Sequence, residues 1–98
     1  MARVIELLWW DGCPSHPAVR EQLAALGVEV VELEIVTEED AERERFVGSP
    51  TIRVDGVDLF PSDEAPSLNC RIYRLRDGRF SPTPDPEDLR EALERAGV

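Results

Sequence analysis

The first 36 residues read strand, helix, strand, and that order constrains the fold more than any other feature of the chain. "RVIELLWW" (3–10) is a short, nearly continuous apolar run bounded by Asp11-Gly12. It is too short for a core helix and reads as a buried strand. "SHPAVREQLAALG" (15–27) sets Val19, Leu23 and Leu26 at i, i+4 and i+7 on one helical face, with Gly27 where a C-cap belongs. Pro14 and Pro17 fall in or before the first turn, where backbone N–H groups have no helical partner. "VEVVELEIV" (28–36) alternates and is β-branched, which makes a second strand. Two strands joined through a helix pair in parallel by a right-handed crossover.

The remainder extends this unit. "TEEDAERERF" (37–46) opens on Thr37 as an N-cap, carries acids in the first turn, and has a thin apolar face of Ala41 and Phe46. "SPTIRVDGVDL" (49–59) is a strand, an Asp-Gly turn and a returning strand, a strong hairpin signal. "FPSDEAPSLN" (60–69) is a loop, "CRIYRL" (70–75) a further strand, and "RDGRF" holds a second Asp-Gly turn. "DPEDLREALERAG" (85–97) is the clearest helix, with Asp85 as N-cap, Pro86 at N1, Asp88 at N3, and Leu89, Leu93 and Ala96 on one face. The expected fold is α/β: β-α-β-α-β-β-α, a mixed sheet flanked by helices, with an extra loop and strand at about 60–80. Ninety-eight residues give one domain, 1–98, large enough to fold without staples.

Charge narrows the function classes. The net charge is −10, from 21 acids against 11 bases, every base being Arg. Nucleic acid and anionic membrane both require a basic footprint, so neither is an expected partner. No apolar run approaches the roughly 18 residues of a membrane span. "MARVIELLWW" looks superficially like a signal peptide. However, "DGCP" follows in place of a small-residue cleavage site, and cleavage would remove the first strand. The expected location is cytoplasmic. A reducing cytosol argues against a structural disulfide between Cys13 and Cys70, and leaves a transient one open.

Chemistry converges on Cys13. It lies between a buried strand and a helix N-terminus, where free N–H groups and the positive dipole end stabilise a thiolate. His16 follows one turn later, able to support the thiolate when protonated or to shuttle a proton when neutral. No acid occupies positions 12–18, and Asp11 is the nearest. Of Trp9 and Trp10, which alternate on the strand, one is expected in the core and the other at the rim of the site.

A strand ending in an aromatic residue, then "CPSH" opening a helix, resembles the Cys-Pro-x-Cys motif of the thioredoxin and glutaredoxin superfamily. "GSPTIRVDG" (48–56) is similar to that superfamily's cis-proline strand, and the order of elements agrees over nearly the whole chain. The resemblance implies a thioredoxin-like fold with Cys13 as nucleophile and Pro50 cis beside it. It makes Trp10, Gly12, Pro14, Ser49, Pro50 and Thr51 the substrate-binding surface, with the Ser49 backbone offered to an extended peptide or to glutathione. Where glutaredoxins carry Gly-Gly and an acid for glutathione, this chain has Phe60, Pro61 and Asp63, so no cofactor is called for by that route. The expected partner is a protein or small-molecule thiol or disulfide.

His16 stands where the motif's second cysteine belongs, so no local disulfide can form. Cys13 then acts alone, pairs with Cys70 as a resolving thiol, or has lost redox activity. Cys70 lies near Cys13 if the 60–69 loop returns to that pole. If "CRIYRL" instead runs antiparallel to the third strand, Cys70 lies about 15 Å off, at about 3.3 Å per residue. Two other functions follow from the same residues. Cys13, His16 and Cys70 form a soft-metal set for Zn(II), Cu(I) or Hg(II), one ligand short of a closed tetrahedral site. A redox-inactive thioredoxin-like binding module is the third reading, which full burial of Cys13 would favour.

Overall fold

The computed structural model describes residues 3–98. The first strand, β1 (Ile5–Trp9), sits inside a four-stranded mixed sheet because nearly every one of its side chains is apolar and both its faces are covered. It pairs in parallel with β2 (Val31–Glu34), Glu6 opposite Val31 and Trp9 opposite Glu34. On its other side it pairs antiparallel with β3 (Thr51–Val54), Leu7 opposite Ile52. The short β4 (Val57–Asp58) turns back from β3 through Asp55-Gly56 and completes the order β2-β1-β3-β4.

Alternation along β1 divides the core between the two faces of the sheet. Ile5 and Leu7 join Ile52 and Val54 beneath α1 (His16–Ala25) and α3 (Pro86–Arg95), whose Val19, Leu23, Leu89 and Leu93 close that side. Leu8 points the other way, into a second cluster with Ile35, Ala41 and Phe46 under α2 (Glu38–Glu44). On the same face Glu6 pairs with Arg53 at 3.0 Å, and Arg53 reaches Glu44 at 3.2 Å. Both predicted N-caps hold, while the predicted C-cap Gly27 lies one residue beyond the actual C-cap of α1, Leu26. The Thr37 hydroxyl accepts from Asp40 N at 3.0 Å, while the Asp40 carboxylate accepts from Thr37 N at 3.3 Å. Asp85 accepts from Glu87 N at 2.9 Å.

Three expected elements are shorter or placed differently. The strand predicted over 28–36 pairs only at Val31–Glu34, opposite the residues β1 offers it; Val28 and Val30 pack into the first cluster as loop residues instead. Leu26, predicted on the buried face of α1, is the C-cap residue and is exposed. "CRIYRL" is not a fifth strand of the main sheet. Only β5 (Tyr73–Arg74) is paired, with β6 (Phe80–Ser81), in a separate two-stranded sheet. The antiparallel placement beside the third strand therefore fails. Cys70 instead forms a single parallel bridge with Ser49. Among the described residues, no helix is long and apolar enough to cross a membrane.

Candidate functional site

Cys13 and Cys70 are joined in a disulfide, with Cα atoms 5.5 Å apart, inside the usual range for such a bond. The expectation against a standing cross-link rested on compartment alone, and the fold places the two sulfurs together. One side of the site is the turn leaving β1. Cys13 N donates to Trp10 O at 3.0 Å. The Trp10 indole lies where a side chain at position 12 would stand, so glycine is required there by close approach.

The other side is built from residues 48–51 and 69–71. The Ser49–Pro50 peptide is cis, as the resemblance implied. Ser49 N donates to Asn69 O at 2.9 Å, and Arg71 N donates to Ser49 O at 2.9 Å. Gly48, at φ +139°, allows this approach, because a Cβ there would strike Asn69 and Arg71. Trp10 N donates to Ser49 Oγ at 3.1 Å, tying the end of β1 to the same corner. Thr51 Oγ1 donates to Gly48 O at 2.6 Å. The Ser49 backbone was expected to receive an extended substrate. Both of its hydrogen-bonding groups are instead held by the chain's own residues 69–71, and Ser49, Pro50 and Thr51 are buried.

Two side chains anchor the Cys70 segment. The Arg71 guanidinium donates to Asp58 at 2.8 Å, to Thr51 Oγ1 at 3.3 Å and to Phe60 O. It also lies 5.0 Å from the centre of the Tyr73 ring. The buried Tyr73 hydroxyl donates to Pro50 O at 2.5 Å, and burial raises its pKa, so it stays a neutral donor. Phe60 packs edge-on against Tyr73, with ring centres 5.4 Å apart.

The two cysteines are unequal in exposure. Cys13 is 4% exposed, whereas Cys70 is exposed. A groove of about 510 Å³ runs over the bond, lined by Cys13, Pro14, Cys70, Ile72, Phe80 and Pro82. Ile72 and Phe80 are 68% and 73% exposed, large apolar side chains open to solvent beside a disulfide. Neither was singled out from sequence. The available signals were Ile72 amid the arginines of "CRIYRL" and Phe80 just after the second Asp-Gly turn.

His16 is the first residue of α1 and stacks on Trp9, with ring centres 4.2 Å apart and planes 14° from parallel. Its Nδ1 is buried without a hydrogen-bond partner. Burial first, and the nearby Arg20 second, hold its pKa below the ordinary 6.5; Glu32, the Cys13 backbone and Asp11 pull the other way. Neutral imidazole is thus the favoured form at pH 7, which counts against a charged partner for the thiolate. Trp10 packs against the second core cluster, while Pro14 is exposed at the groove.

The soft-metal set is not assembled. Among the described residues, no group of three or more His, Cys, Asp and Glu side chains is placed to hold a metal ion. Sulfurs bonded to each other are also not thiolate ligands. The site holds a disulfide, the oxidised half of a two-electron couple. No protein-family model, no curated protein and no solved structure matches the chain.

Proposed function

We propose that this chain is a thioredoxin-like thiol–disulfide exchange protein that cycles between the Cys13–Cys70 disulfide and the dithiol. The observation that carries the reading is the disulfide itself, half buried and half exposed, on the floor of an open apolar groove. An external thiolate displaces one protein sulfur, forming a mixed disulfide and releasing the other sulfur as thiolate. A second external thiolate then displaces the remaining protein sulfur. The external pair leaves as a disulfide, oxidised by two electrons, and the protein is left as a dithiol. The element order, and the bridge from Ser49, which precedes the cis-Pro50, to the Cys70 bonded to Cys13, support the thioredoxin-like part of the reading.

Burial of Cys13 by itself speaks for a module without redox chemistry. The exposed Cys70 bonded to it turns the balance, because a reductant needs access to only one sulfur. The test is equilibration of the folded protein in graded mixtures of oxidised and reduced dithiothreitol, quenched by alkylation and read by intact mass. A single reversible two-electron transition is expected, absent from both Cys13→Ser and Cys70→Ser. A disulfide that opens only after denaturant is added would remove the proposal.

A further inference from the structure

We infer that Cys70, and not Cys13, is the sulfur that exchanges with the external partner, and that Cys13 is the leaving and resolving thiol. The inference rests on the exchange function proposed above and assigns its order of events. It reverses the roles the "CPSH" resemblance implied.

Displacement at a disulfide requires the incoming thiolate to reach the far side of the attacked sulfur, so access decides which sulfur is attacked. Cys13 is 4% exposed and sits in the turn after β1, which is held by its own bond to Trp10 O and by Trp10 N to Ser49 Oγ. Cys70 is exposed, with Ile72 following it and Phe80 across the groove.

The leaving group points the same way. Cys13 stands two residues before the N-cap of α1. That N-cap, Ser15, makes no side-chain hydrogen bond to the helix, and the first turn carries no acid. The N–H groups and positive end of the helix are therefore left to stabilise an anion there. A thiol made more acidic in this way leaves faster.

Cys70 also keeps its place when the bond opens. The backbone bonds of its two neighbours to Ser49 do not involve sulfur, and Arg71 and Tyr73 hold the segment independently. The step balances. RS⁻ attacks Cys70 Sγ, a Cys70–S–S–R bond forms, the Cys13–Cys70 bond breaks, and Cys13 Sγ takes the electron pair. In the reverse direction Cys70 attacks a partner's disulfide, and Cys13 then closes onto Cys70 to expel the partner's thiolate.

The test treats the oxidised protein with 2-mercaptoethanol, quenches at intervals with N-ethylmaleimide, and maps both cysteines by peptide mass. The expected intermediate carries mercaptoethanol on Cys70 and maleimide on Cys13, at least ten-fold over the opposite pattern. The opposite pattern overturns the inference and leaves the exchange function standing. A disulfide untouched until denaturant is added overturns both. If the intermediate is too brief to trap, the single-thiol variants decide. Cys13→Ser is expected to form a mixed disulfide with 2-hydroxyethyl disulfide at least ten-fold faster than Cys70→Ser. A faster reaction by Cys70→Ser sinks the inference.

Discussion

His16 is the chain's only histidine, so its titration can be followed without ambiguity. Its folded pKa lies below the ordinary 6.5 because burial against Trp9 disfavours the charged ring and Arg20 adds to that. The folded state therefore binds fewer protons than the unfolded state between the two values. The associated stability is present above about pH 6.5 and is lost as pH falls through the folded value. The imidazole signals in an NMR titration of the native protein should give a midpoint below 6.5. In Trp9→Leu, with the stack gone, the midpoint should move up. A native midpoint at or above 6.5 would refute the assigned environment. Sequence alone could place His16 next to Cys13 in the chain. It could not tell that the ring turns to Trp9, since that choice is made by packing at the end of β1.

The run from Leu59 to Tyr73 is the element that makes the site, and it has almost no regular structure. Its path is set by a few long-range contacts: Leu59 N to Ile52 O at 2.8 Å, Ser67 N to Phe46 O at 3.0 Å, and the Arg71 and Tyr73 anchors. Tyr73→Phe removes the Tyr73 hydroxyl that donates to Pro50 O and leaves that buried carbonyl short of a partner. It should cost about 1–2 kcal/mol. Urea unfolding of the oxidised variant is the measurement, and an unchanged midpoint would mean that the hydroxyl contributes nothing. The regular elements were legible because their signals are local: the apolar run of β1, Asp55-Gly56 in the hairpin, Thr37 and Asp85 as caps. The position of Cys70 was not legible. It depends on Arg71 finding acceptors on Asp58, Thr51 and Phe60, on Tyr73 reaching Pro50 O and on the backbone bonds to Ser49, choices no periodicity encodes.

At the scale of the molecule, the disulfide joins the turn after β1 to the segment that bridges Ser49, just ahead of β3, across a sequence separation of 57. Closing a loop of that length removes freedom from the unfolded chain worth about 4 kcal/mol in the chain-entropy model. Oxidised protein should therefore unfold at higher urea than reduced protein, with a difference approaching that figure. Coincident unfolding curves would contradict it. The parallel bridge between Ser49 and Cys70 also bears on synthesis. Cys13 is made before Cys70, and the backbone bonds that bring Cys70 to it need Ser49, Asn69 and Arg71 all in place. The Cys13–Cys70 bond therefore waits on the fold around Ser49, so the oxidised form is also a record that this corner has been built.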